Sequence, residues 1–186
     1  MTVPTDLDVR FRESAARSGL LDAGYDVTDS PLGPLLLAAS DRGILRISFD
    51  ADIDQHLEWL SRHAGRRILR SPRQVDGVRR ELDEYFEGKR RAFDLAVDLR
   101  DVTPFTERVL MELARVPFGE TVTYAELAAR SGRPKAARAV GMTMNRNRIP
   151  IVLPCHRVIG ASGSLVGYAG GLDRKVALLT LEGVLL

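Results

Sequence analysis

Residues 123–145 read Thr123-Tyr124-Ala125-Glu126-Leu127-Ala128-Ala129-Arg130-Ser131-Gly132-Arg133-Pro134-Lys135-Ala136-Ala137-Arg138-Ala139-Val140-Gly141-Met142-Thr143-Met144-Asn145. Thr123, with Glu126 three positions later, spells a capping box, in which side chains at the first turn satisfy amides that have no helical partner. That spacing predicts a short helix to about residue 130. Ser131-Gly132-Arg133 makes a tight turn, and Pro134 suits the first position of a second helix over 134–145. Short helix, glycine-bearing turn and basic helix form the helix-turn-helix pattern. Helical spacing sends Ala137, Val140, Gly141 and Met144 inward, and Lys135, Arg138, Met142 and Asn145 outward. Small residues let DNA approach the backbone, and the cations neutralise phosphates. An ordinary helical hairpin with a solvated face fits the same pattern.

Charge extends the argument. Arg130, Arg133, Lys135, Arg138, Arg146, Arg148 and Arg157 lie in a stretch without Asp or Glu. From residue 101 onward 11 basic side chains face 7 acidic ones, whereas the first 100 residues carry 16 and 18. A one-sign run suits a polyanionic partner, although a solvated basic face explains it too. The rest of the composition, 45% hydrophobic and 28% charged over 186 residues, belongs to a folded protein with a genuine core. There is no basic-then-apolar leader pattern and no apolar run near the roughly 18 residues that cross a bilayer, so a cytoplasmic protein is expected. A single cysteine excludes an internal disulfide framework and any multi-cysteine zinc site.

Working back towards the start, Thr103-Pro104 opens a helix whose buried stripe is Phe105, Val109, Leu110, Leu113 and Val116, closed by Pro117-Phe118-Gly119. Residues 25–50 read as a β-meander, with Gly33-Pro34 and Asp41-Arg42-Gly43 as turns between apolar runs. Helices are predicted over 52–63 and 74–86, the second with Val75, Val78, Leu82, Tyr85 and Phe86 on one face, and residues 93–97 can add a strand. Residues 1–20 read as an arm or a short lead-in helix. His56, Trp59 and His63 read as surface or packing residues. The fold class is therefore mixed α/β (α+β). An N-terminal domain, 1–100, is a small meander sheet with flanking helices. A mostly helical C-terminal domain, 101–186, holds the helix-turn-helix and a cysteine turn.

Ahead of that turn, Ile149-Pro150-Ile151-Val152-Leu153 is a buried, strand-like run that leads into Pro154-Cys155-His156-Arg157-Val158-Ile159-Gly160. Pro154 keeps Leu153 extended and can start a turn or short helix. Backbone amides, His156 and Arg157 beside Cys155 would lower its pKa and populate the nucleophilic thiolate. The bland alternative is a cysteine serving as a small core hydrophobe. Beyond it lie Gly160-Ala161-Ser162-Gly163-Ser164 and Gly167-Tyr168-Ala169-Gly170-Gly171, a glycine-rich loop that could shape a pocket. It lacks the Lys-Ser/Thr ending of a phosphate loop. Residues 172–182 resume as a helix.

These residues carry a resemblance. Pro154-Cys155-His156-Arg157-Val158 resembles the active-site signature of the O6-alkylguanine-DNA alkyltransferases. Pro117-Phe118-Gly119-Glu120-Thr121-Val122-Thr123-Tyr124, Ala136-Ala137-Arg138-Ala139-Val140-Gly141 and Gly167-Tyr168-Ala169-Gly170-Gly171-Leu172 match family segments in the same order. Ser30-Pro31-Leu32-Gly33-Pro34-Leu35 resembles the family's first domain more loosely. The resemblance implies direct-reversal repair, with Cys155 as nucleophile and alkyl acceptor. It implies that His156 accepts the thiol proton through a water, oriented by Glu182, that Tyr124 donates to the departing guanine, and that Asn147 braces the turn. DNA contacts fall to Arg138, Lys135, Ala137, Met142, Thr123 and Arg133, with the second helix in the minor groove and Arg138 filling the space of a flipped nucleotide. Val158, Tyr168 and Ala169 wall the base pocket. No cofactor or metal is implied. The expected partner is double-stranded DNA containing O6-alkylguanine. The protein is expected to be a monomer in free solution, and cooperative assembly along DNA stays open.

The chain departs from the family pattern in three places. Arg148 follows Asn147 where a proline is usual, Leu110 replaces an aromatic residue, and Met142 and Thr143 stand where smaller residues are common. It has no cysteine-rich zinc segment, so the transcriptional role of relatives that carry one is not expected. Two other readings remain at this point. A non-catalytic DNA-binding regulator would tolerate Cys155→Ser. A cysteine hydrolase or transferase acting on small molecules would turn over without DNA.

Overall fold

The computed structural model describes residues 10, 14–15, 18–50 and 52–185. The arm or helix expected over residues 1–20 lies largely outside them. The chain forms two compact units, one of Met1–Glu84 with Asp94–Arg100 and one of Tyr85–Phe93 with Asp101–Leu186. Among the described residues no helix is long and apolar enough to cross a membrane.

In the first unit β1 (Ala23–Thr28), β2 (Leu35–Ser40) and β3 (Gly43–Ser48) form the antiparallel meander, with Tyr25 opposite Ala38 and Leu37 opposite Ile47. β2 is buried along its whole length, so side chains on both of its faces are covered, and it reads as a continuous apolar run rather than an alternating one. Helix α1 (Ile53–His63) starts at Asp52, whose carboxylate accepts from the Gln55 amide. Leu60 from α1 packs with Ala23, Leu36, Ala38 and Leu45, and each buried leucine among them contributes roughly 1.5–3 kcal/mol on leaving water. His56 is buried with Nε2 3.0 Å from the Asp50 carbonyl, and Trp59 stacks on His63 at 4.2 Å, both packing roles.

Two local expectations need correction. Residues 93–97 contribute only one bridge, Val97 to Ile44, closed by the Ile44 amide on the Ala96 carbonyl and the Asp98 amide on the Ile44 carbonyl. The fourth strand is β4 (Ile68–Arg70), parallel to β1, which three residues of mixed character did not advertise. Helix α2 (Pro72–Phe86) begins two residues earlier than its apolar spacing indicated.

The second unit is mostly helical. Helix α3 (Pro104–Ala114) has Thr103 as N-cap and Pro104 in its first turn, with Val109, Leu110 and Leu113 buried. The capping box of Thr123 and Glu126 forms and opens α4 (Tyr124–Arg130). Helix α5 (Ala137–Asn145) starts three residues later than Pro134 suggested. Residues 133–136 close a turn first, with the Ala136 amide bonded to the Arg133 carbonyl at 2.9 Å. Short strands β5 (Val122–Thr123) and β6 (Val158–Ile159) pair in parallel, Val122 opposite Val158. That pairing fixes the first residue of the helix-turn-helix beside the segment leaving the cysteine turn. Helix α6 (Leu172–Leu181) completes the unit.

Candidate active site

Residues 149–153 are buried as expected, but they form a tight turn rather than a strand. The Leu153 amide bonds the Ile149 carbonyl at 2.9 Å, and Ile151 takes a φ of 73°, a left-handed conformation that a β-branched residue disfavours. Asn147 holds this turn at three points. Its Nδ2 donates to the Leu153 carbonyl at 2.7 Å and to the Cys155 sulfur at 3.1 Å, and its Oδ1 accepts from the Ile149 amide at 3.1 Å. Pro154 then leads into a 3-10 turn, Cys155–Arg157, in which all three side chains are buried.

Burial pushes the Cys155 thiol up to about 11, although the Asn147 hydrogen bond, backbone amides and the Lys175 ammonium partly counteract it. The expected thiolate-favouring site is thus corrected: the sulfur rests as a thiol. The reason lies partly in Arg157, which faces away from the sulfur. Its Nε and Nη2 donate to Glu182 at 2.9 and 2.8 Å, and Nη1 donates to the Val116 carbonyl at 2.6 Å. At 5% exposure Arg157 is also withdrawn from the basic surface to which the sequence assigned it.

His156 Nε2 lies 2.8 Å from Glu182 Oε1. Burial alone would raise the Glu182 carboxyl, but hydrogen bonds from His156 and Arg157 prevail and hold it at about 2. An ionised carboxylate only accepts, so Nε2 carries the proton and Nδ1 is left as a lone-pair acceptor. Among the described residues that buried Nδ1 has no hydrogen-bond partner. Burial keeps the imidazole pKa below its ordinary value, and the charges of Arg157 and Lys175 act the same way against Glu182. At neutral pH this is a neutral base.

Two tyrosines border the sulfur. Tyr124 is half-buried and its hydroxyl donates to the Val166 carbonyl at 3.3 Å. Burial raises its pKa, and so does the proximity of Cys155, an effect Tyr168 shares. Val158 is buried, Tyr168 half-buried and Ala169 exposed. Lys175 was not singled out from the sequence, although it lies on the face of α6 that carries Leu178 and Leu179 inward. Fully buried, it donates to the Val158 carbonyl at 2.6 Å and the Val166 carbonyl at 3.2 Å, tying the strand before the glycine-rich loop to the loop's middle. Tyr85, expected only to pack, donates to Glu182 at 2.7 Å.

On the helix-turn-helix, Lys135, Arg138, Met142 and Asn145 are exposed, Val140 and Met144 are buried, and Ala137 and Gly141 are half-buried, close to the expected faces. Thr123 is half-buried and engaged as the cap, and the exposed Arg133 lays its guanidinium 4.8 Å above the Phe105 ring.

Residues 24–99 match the family described as 6-O-methylguanine DNA methyltransferase, ribonuclease-like domain, and residues 104–184 match its DNA binding domain. The chain belongs to the 6-O-methylguanine DNA methyltransferase family. Methylated-DNA–protein-cysteine methyltransferases are similar to it: 42% identity in Methanosarcina barkeri, covering 85% of this chain and 96% of that protein, and 46% in Mycolicibacterium paratuberculosis, covering 85% and 91%. Among solved structures, Mycobacterium tuberculosis OGT in complex with DNA aligns with a TM-score of 0.74 at 41% identity, covering 86% of this chain and 92% of that one.

For a member of the 6-O-methylguanine DNA methyltransferase family, the departure at Arg148 has a local explanation. The side chain is half-buried, which lowers its pKa, while the carboxylate of Asp101 works in the opposite direction. A positive charge thus sits half-buried beside the active-site turn, with an acidic neighbour in Asp101. Nothing in the structure explains Leu110 in place of an aromatic residue.

Proposed function

We propose that this protein repairs O6-alkylguanine in double-stranded DNA by moving the alkyl group irreversibly onto Cys155. The observation that carries the reading is the pairing of Asn147 with a buried Cys155 and of the adjacent buried His156 with Glu182, which leaves His156 Nδ1 as an open acceptor, within a chain of this family. The thiol proton passes through a water to His156 Nδ1, and Nε2–H keeps its bond to Glu182. Sulfur attacks the O6-bound alkyl carbon: the S–C bond forms, the C–O6 bond breaks, and the electron pair leaves on guanine O6. Tyr124 donates a hydrogen bond to the departing base and stabilises the charge that develops on it. Asn147 braces the turn and stabilises the sulfur as its proton leaves.

The product on Cys155 is a thioether. It has no electrophilic carbonyl for water to attack, so each protein acts once. Residues 101–186 bind DNA and perform the transfer, and residues 1–100 support them. The outward face of Arg138, Lys135 and Met142, with Arg133, Ala137 and Thr123, follows the minor groove, and Arg138 fills the space of the flipped nucleotide. Val158, Tyr168 and Ala169 wall the pocket that receives the base. The protein acts in the cytoplasm as a monomer.

The test is stoichiometric. Duplex DNA carrying O6-methylguanine, offered in excess, should be restored to guanine up to one lesion per protein and no further, and Cys155→Ser should restore none. Repeated turnover, or repair by Cys155→Ser, would refute the reading.

A further inference from the structure

One hydrogen bond would suffice for Glu182 to orient His156, yet its carboxylate receives five. Oε1 accepts from Tyr85 Oη at 2.7 Å, His156 Nε2 at 2.8 Å and Arg157 Nη2 at 2.8 Å, and Oε2 accepts from Arg157 Nε at 2.9 Å and the Gly119 amide at 3.3 Å. We propose that Tyr85 and Arg157 are positioning residues that hold Glu182 and thereby limit how strongly His156 binds a proton. The proposal rests on the reading of His156 as the base for Cys155.

The physical case starts from a buried carboxylate beside an imidazole. Left alone, such a carboxylate draws a proton onto the ring, and an imidazolium cannot take one from a thiol. Arg157 offsets the carboxylate charge through a two-bond fork, and Tyr85 disperses more of it through a third donor. Both donors are held firmly. Arg157 is anchored by the Val116 carbonyl and lies 6.0 Å from the Phe118 ring centre. The Tyr85 ring packs against Phe86, Phe93 and Phe118 at 5.4, 5.4 and 6.0 Å. The titratable and charged groups facing the His156–Glu182 pair are Tyr85 from α2, Cys155 and Arg157 from the 3-10 turn, and Lys175 from α6. The imidazole pKa below its ordinary value agrees with that balance.

Tyr85→Phe removes the hydroxyl and keeps the ring. Histidine NMR titration of the free protein should show His156 moving to higher pH. In single-turnover transfer from an O6-methylguanine duplex, the acid limb should move the same way. Transfer should slow about threefold to tenfold at the acid end and reach the wild-type rate at alkaline pH. In a Glu182→Gln background the Tyr85→Phe effect on the titration should vanish. Arg157→Lys, which keeps the charge but loses the fork, should shift His156 in the same direction and serves if Tyr85→Phe does not fold. An unmoved His156 titration, or a rate loss equal at every pH, would overturn the proposal. A wild-type protein that leaves Cys155 unmodified would refute the transferase reading instead, and the NMR titration would still decide the roles of Tyr85 and Arg157.

Discussion

Cys155 rests as a thiol near pKa 11 beside a neutral imidazole, so sulfur becomes strongly nucleophilic only as its proton leaves. The adjacency of Cys155 and His156 was legible in the sequence as a short signature, whereas the pairing of His156 with Glu182 came only from the family resemblance. The direction of the thiol shift was not legible. It is set by burial, which outweighs the opposing pull of Asn147 and Lys175, groups that only the folded chain brings to the sulfur. Arg157 misled for the same reason: sequence counts a charge but cannot tell which way it points. The same pair contributes to acid stability, beside Asp22, Asp98 and Glu126, which are also held below the ordinary carboxylate range. Glu182 is held at about 2, against an ordinary 4.5, so its contribution is complete above about 4.5 and is lost as pH falls through 2. His156, with its folded pKa lowered from 6.5, adds a loss in the same direction, because the unfolded imidazole protonates first. Urea unfolding followed from pH 7 to pH 3 should therefore show stability falling with acidity, and Glu182→Gln should flatten the lower part of that curve.

The elements around the site differ in how local their causes are. The capping box of α4 and the proline start of α3 are decided within a few residues, and both were readable. The strand pairs β1–β4 and β5–β6 are parallel and very short, and their partners are distant in sequence, so periodicity carried almost no trace of them. The turn over residues 149–153 looked like a strand because its residues are apolar. In fact its burial serves to hold Ile151 at a φ of 73°. Truncating Ile151 should cost about 2–5 kcal/mol in either small variant. The left-handed conformation reverses the usual order of the two. Ile151→Gly should be at least as stable as Ile151→Ala, whereas glycine ordinarily costs up to about 1 kcal/mol more. Equilibrium denaturation of the pair checks this, and a clear advantage for alanine would show that the turn is not strained.

Across the whole chain, the +2 net charge hides an uneven distribution, and the structure refines which charges face outward. Arg130, Arg133, Lys135, Arg138 and Arg146 are exposed, Arg148 is half-buried and Arg157 is buried. Lys135→Ala should weaken binding to undamaged duplexes of any sequence and reduce the logarithmic salt slope by about one. Fluorescence anisotropy at several salt concentrations measures both. The division into a sheet-bearing part and a helical part was readable from hydrophobic periodicity and turn chemistry. The assignment of residues 85–93 to the second unit was not, since Tyr85 gave no sign that its hydroxyl bonds a carboxylate 97 residues later. The central claim is chemical, and mass spectrometry tests it most directly. After mixing with a duplex containing O6-methylguanine, the protein should gain one methylene mass, on the Cys155 peptide alone, saturating at one group per chain. No gain, with Cys155 still open to a small thiol reagent, would contradict the account and leave a DNA-binding protein without this chemistry.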